Sequence, residues 1–288
     1  MKPLKKRFLI LIILSSLIVI YFSGSFLVDH FRNTDQKNNF VVFTTDEDRI
    51  FSENHNYRNA ASAFNRGEFE IAIDELNEEI KKYQDHAQAY FLLGKIYEDK
   101  DFSGKKYYSK MLSNYKKYIE LKPKGKRIDY AKLRVAQYYI REGLTQQNIE
   151  YLSDAEILLK SLDQNNNDVK MSLGAIYLDK QNYDQAIAMF EKSANLEPSE
   201  LKLKYNSLGL AYIKKKEYAK AGRVLEIAIK IDSKDKYAHN NLGFIYAQQG
   251  KLKDAKDHFS KALTIDPSYK NAAQNLRWVE MKINKEKN

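Results

Sequence analysis

A repeat spacing of about 34 residues constrains this chain more than any other feature. Leu-Gly pairs stand at Leu93-Gly94, Leu173-Gly174, Leu208-Gly209 and Leu242-Gly243, and the glycines step by 80, 35 and 34 residues. Three residues after each glycine comes a tyrosine: Tyr97, Tyr177, Tyr212 and Tyr246. Alanines follow the last three glycines by twelve residues (Ala186, Ala221, Ala255), and Phe190, Leu225 and Phe259 come four later. Residues three and four apart share one face of a helix. Leu242, Gly243 and Tyr246 therefore mark one helix, and Ala255, Phe259 and Ala262 a second. Gly250 lies between them and is free to take the positive φ that ends a helix. Asp266-Pro267 breaks the second helix. Pro123 and Pro198 read as closing units in the same way. Each unit is a helical hairpin whose apolar face it cannot bury alone, so the hairpins must stack. With 11 Gly, 4 Pro and 43% apolar residues in 288, composition agrees with a helical, packed chain.

These positions resemble the tetratricopeptide repeat family. The segment Lys236 to Tyr269 carries the pattern most completely, in Leu242, Gly243, Tyr246, Gly250, Ala255, Phe259, Ala262 and Pro267. The resemblance implies an all-α fold, a right-handed α-solenoid of about six hairpins. The units span about 53–86, 87–125, 129–165, 167–201, 202–235 and 236–269. The first has Ala60, Gly67, Ala72 and Leu76 in register. The second carries about five extra residues around 101–106, and the third about seven, Leu144 to Glu150. Residues 270–288 read as a C-terminal capping helix with Ala272, Leu276, Val279 and Ile283 in one stripe.

The resemblance also implies that the first helix of each hairpin lines a concave groove, at the second, fifth, ninth, twelfth and thirteenth positions of a unit. In the third unit these are Tyr130, Leu133, Gln137, Ile140 and Arg141; in the fifth, Leu203, Asn206, Leu210, Ile213 and Lys214. In the sixth they are Tyr237, Asn240, Phe244, Ala247 and Gln248. Amides among aromatic and apolar groups suit an extended peptide, with Tyr237 and Phe244 as anchors. The alternative, in which Phe244 and Leu210 pack on neighbouring helices, gives the same periodicity. Some family members clamp a peptide carboxylate with Lys, Asn and Arg on successive first helices. Here Lys95, Arg134 and Asn241 fall out of the order that clamp requires.

The N-terminus carries a different signal. Residues 8–28, FLILIILSSLIVIYFSGSFLV, run for 21 residues without a charge behind Lys2, Lys5, Lys6 and Arg7. About 20 apolar residues cross a bilayer core, and the basic flank stays in the cytoplasm. The expectation is one transmembrane signal anchor with residues 1–7 as its basic tail and 29–52 as a spacer. The repeat domain would then lie outside the cytoplasm, as at a bacterial inner membrane facing the periplasm. The alternative is a signal peptide cleaved near Ser23-Gly24-Ser25, leaving a soluble periplasmic or secreted adaptor.

Little points to chemistry. There is no Cys, and the five histidines (30, 55, 86, 239, 258) show no metal-binding spacing. No phosphate loop or nucleophile elbow is present. The expectation is no enzyme activity, no cofactor and no metal; a role as a non-catalytic subunit of an envelope enzyme stays open. The formal charge of +10 includes +4 from the N-terminal cluster, and the runs 122–127 and 214–216 fall in turns. Nucleic acid is therefore not expected as a partner; the partner is a protein or peptide, with the membrane reached through residues 8–28.

Overall fold

The structure is a computed structural model, and it describes residues 55–100, 107–124 and 127–287. The anchor, spacer and N-terminal tail read from the sequence lie outside the described residues. Among the described residues there are thirteen helices and no strands. Six hairpins form from α1 (His55–Asn65) and α2 (Phe69–Lys82), α3 (Ala87–Lys100) and α4 (Tyr108–Leu121), and α5 (Ile128–Gln146) and α6 (Ile149–Lys160). They continue with α7 (Asn167–Asp179) and α8 (Tyr183–Lys192), α9 (Pro198–Lys214) and α10 (Tyr218–Ile231), and α11 (Lys236–Gln248) and α12 (Leu252–Ile265). A single helix, α13 (Lys270–Lys287), follows. The chain falls into two compact bodies divided between Leu162 and Asp163.

One packing device recurs in both bodies. A glycine on the first helix of a hairpin takes the buried side chain of the second helix directly against its backbone. A Cβ on Gly94 would stand 2.7 Å from the Tyr115 ring, one on Gly209 2.6 Å from Leu225 Cγ, and one on Gly243 2.7 Å from Phe259. Tyr115, Leu225 and Phe259 are at most 1% exposed, so none has room to withdraw. In α13 the residue spaced like Gly243 is Arg277, which is exposed. The inner face of α13 is covered: Val279, Leu276 and Ile283 pack with Ala255, Phe259 and Phe244.

The turn between the two helices of a hairpin puts one residue in the left-handed region. That residue is Gly67 (φ +76°) or Gly250 (φ +75°) in two hairpins, but Gln181 (+61°) and Lys216 (+62°) in two others. The extra residues of the third hairpin are shared by both helices. α5 runs on to Gln146, where Gln147 (φ +54°) caps it, and α6 starts at Ile149. About one added turn on each antiparallel helix leaves both faces in register. The added layer has its own socket, in which a Cβ on Gly143 would lie 2.8 Å from Leu152. Pro198 opens α9 rather than closing the preceding unit. Proline is suited to the first helical position, and Glu197 and Glu200 bond reciprocally across it as a capping box.

Within each body the first helices touch their successors: α1 with α3, and α7 with α9, α9 with α11, α11 with α13. Second helices make no comparable pairs among the described residues. The first helices therefore lie on the tighter, inner side of each body. In the second body an ion pair recurs along this stack: Lys202 Nζ meets Asp232 at 2.7 Å and Lys236 Nζ meets Asp266 at 2.7 Å, 34 residues on.

Candidate functional site

The inner faces of the first helices are the candidate site. In the first body they carry a polar cluster centred on Glu98 of α3. Its carboxylate accepts from the Tyr115 hydroxyl at 2.5 Å and the Tyr130 hydroxyl at 2.8 Å, and pairs with Arg134 at 2.8 Å and Lys95 at 3.6 Å. Glu98 and Lys95 are 4% and 3% exposed. Burial pushes the Glu98 carboxyl up, against the pull of Lys95 and of the two tyrosine bonds. Burial beside that carboxylate raises the Tyr115 and Tyr130 hydroxyls far above their ordinary value, so both remain donors. Arg134 also bonds Gln137 Oε1 at 2.7 Å. Arg141 lies over the rings of Tyr108 and Tyr138 and bonds Glu142 at 3.3 Å.

The predicted groove residues divide by exposure. Tyr130, Leu133, Lys214, Tyr237, Phe244 and Ala247 are half-buried and Gln248 is exposed. Gln137, Ile140, Arg141, Leu203, Asn206, Leu210, Ile213 and Asn240 are buried. Phe244 packs on the Phe259–Val279 cluster, and Tyr237 meets Tyr269 edge-on with ring centres 5.6 Å apart. Asn206 Nδ2 donates to Asp235 at 2.5 Å, while Asn240 Oδ1 accepts from Asn275 at 3.1 Å. Desolvation holds the Lys214 ammonium below its ordinary value, against the pull of Asp179. Sequence reasoning missed Gln88 and Glu98, at the second and twelfth positions of the second unit, and weighed Lys95, at the ninth, only as a clamp residue; the shared register was the signal that could have found them.

Several polar atoms on these helices are buried without a hydrogen-bond partner. They are both side-chain amide atoms of Gln88 and Nη2 of Arg141 in the first body, and Asn206 Oδ1, Ser172 Oγ and Ser207 Oγ in the second. Gln88, Arg141 and Asn206 occupy groove positions, and the two serines each directly follow one. A separate cleft of ≈ 790 Å³ opens in the first body between α4, α5 and α6, lined by Leu112, Ile119, Val135, Tyr138, Tyr139 and Ile157 among others. Among the described residues no three metal-ligating side chains converge, and no helix is long and apolar enough to cross a membrane.

Stacked helical hairpins presenting their first helices on one side define an α-helical repeat protein of the interaction-scaffold type. Family models described as tetratricopeptide repeat match residues 57–101, 168–200 and 237–269, and one described as TPR repeat matches 209–250. The chain belongs to the tetratricopeptide repeat family. No catalytic family is indicated, and no curated protein matches the chain. Among solved structures, it is similar to a chain of the APC/C hetero-tetramer Cut9–Hcn1, with 15% identity and a TM-score of 0.56 over 88% of this chain and 48% of that one. The chain thus spans about half the length of that relative. MamA aligns at 22% identity and a TM-score of 0.47 over 61% of this chain and 95% of its own. YrrB, described as a TPR protein with an unusual peptide-binding site, aligns at 16% identity and a TM-score of 0.47 over 69% of this chain and 96% of its own.

Proposed function

We propose that this protein is a membrane-anchored tetratricopeptide scaffold that binds an extended protein segment along the inner faces of its first helices. It assembles a complex at the membrane, with the repeat domain outside the cytoplasm. The observation that carries the binding role is the set of polar and aromatic side chains that those helices leave at least partly exposed, Tyr130, Lys214, Tyr237 and Gln248 foremost. The backbone of an extended peptide offers both donors and acceptors to polar groups at such a surface, and aromatic side chains offer it anchors. The anchoring role rests on the 21 uncharged residues 8–28 behind a basic cluster. Photo-crosslinkers at Lys214 and Gln248, placed in intact cells, test the first. A discrete adduct that weakens with Tyr130→Ala and Tyr237→Ala supports the groove; adducts unchanged by both substitutions reject it. Membrane fractionation of a C-terminally tagged chain tests the second. Recovery in the soluble fraction with a shortened N-terminus replaces the anchor with the secreted adaptor.

A further inference from the structure

The last hairpin brings together two histidines that are 19 residues apart in the chain. His239 of α11 is 8% exposed, and His258 of α12 is half-buried; their Nδ1 atoms are 3.3 Å apart and their ring centres 5.4 Å. The other nitrogen of His239, Nε2, lies 3.2 Å from the Ser233 carbonyl oxygen. A carbonyl oxygen only accepts, so Nε2 carries the proton, and in the neutral ring the Nδ1 lone pair faces His258. His258 is itself held by stacking on Tyr246, with ring centres 5.3 Å apart. The two Nδ1 atoms thus face one another in hydrogen-bond contact, and His239 is held by a backbone bond in the tautomer that leaves its Nδ1 free to ligate. Such outer bonds orient histidine ligands in zinc sites.

The spacing itself has a meaning. Two nitrogens each about 2.0–2.1 Å from a tetrahedral zinc ion stand roughly 3.3–3.4 Å apart. The observed separation of 3.3 Å is that distance, so the two nitrogens need not move apart or together to share an ion.

We propose that His239 and His258 form a two-histidine site for a divalent transition metal of the zinc type, with water completing the coordination. The site joins α11 to α12 next to the α13 cap, and occupancy braces the last hairpin without taking part in the inner-face groove. Binding is at Nδ1 of both rings, with His258 shifting its proton to Nε2.

Calorimetric titration of the untagged full chain with zinc chloride at neutral pH is the test. The expected result is one saturable site, a rise in melting temperature with zinc, and at least tenfold weaker binding in His258→Gln. His239→Gln, changed on the other helix, shows the same loss. Absence of saturable binding, or a site whose affinity is unchanged in both variants, overturns the proposal. Should either variant lose its helical melt, imidazole nitrogen NMR of the unaltered chain decides. Zinc-dependent shifts confined to Nδ1 of these two rings support the site, and shifts at other histidines or none at all overturn it.

Discussion

Gly209→Ala and Gly222→Ala make the same chemical change in one hairpin, and the packing requires them to have opposite signs. Alanine exceeds glycine in helix propensity by about 1 kcal/mol, which favours both substitutions. At Gly222, on α10, a new Cβ meets nothing within 4 Å, so this gain stands alone. At Gly209, on α9, the Cβ would lie 2.6 Å from both Cγ and Cδ2 of Leu225 and 3.2 Å from Cδ1. Cγ is the branch point of the side chain, and Leu225 is fully buried, so relief requires α9 and α10 to separate. Overpacking of this kind costs about 1–3 kcal/mol. With the propensity gain subtracted, Gly209→Ala should destabilise by up to about 2 kcal/mol, against a gain of about 0.5–1 kcal/mol for Gly222→Ala. Melting followed by far-UV circular dichroism, at about 2–4 °C per kcal/mol for a domain of this size, separates the two. A double-mutant cycle sharpens the assignment. Leu225→Ala leaves a cavity that the new methyl partly fills, so Gly209→Ala should cost less in that background. If Gly209→Ala stabilises the protein as Gly222→Ala does, the close approach of the two helices is not what selects glycine there.

Three further outcomes follow from the same contacts. Gln181→Gly and Lys216→Gly should each stabilise by about 0.5–1 kcal/mol in urea denaturation, because the left-handed turn position strains any residue with a Cβ, as it would not strain Gly67 or Gly250. Glu98→Ala should cost about 3–5 kcal/mol, since it removes the buried carboxylate that Arg134, Lys95 and two tyrosine hydroxyls share; hydrogen exchange should show α3, α4 and α5 opening together, and protection unchanged in those helices would refute the role. For pH, bonds from Lys236 and Ser268 hold the Asp266 carboxyl below its ordinary value of 3.8, at about 2. A depressed carboxyl contributes stability that is complete above its unfolded value and lost as pH falls towards its folded one, so the second body should weaken between about pH 4 and 2. Lys236→Met removes the largest cause and should flatten that slope; an unchanged acid transition would show that the pair contributes nothing measurable.

The repeat itself was legible in the linear order of residues. Leucine, glycine and tyrosine at fixed offsets on one helix, and alanine with an aromatic on the next, state both the helical period and the need for a neighbour. Gly250 declared its turn because glycine is the residue that tolerates positive φ without strain. Gln181 and Lys216 hid the same turn, because at those positions the hairpin imposes the conformation on residues that do not prefer it. Pro198 was misread for a related reason: proline both follows helices and begins them, and only the reciprocal bonds of Glu197 and Glu200 distinguish the two.

The inner face divides along the same line. Its register could be counted from any one unit, which is why Tyr237, Lys214 and Tyr130 could be named at all. Whether a counted side chain meets solvent or a neighbour depends on residues far away in the chain: Phe244 turns towards Val279 of α13, and Tyr130 towards Glu98 of α3. The sequence by itself determined that paired helices recur and must cover one another, because periodicity is a local property of the chain. Only tertiary structure decided which polar atoms were sealed without partners and which two histidines came within 3.3 Å, because both depend on how separate helices approach.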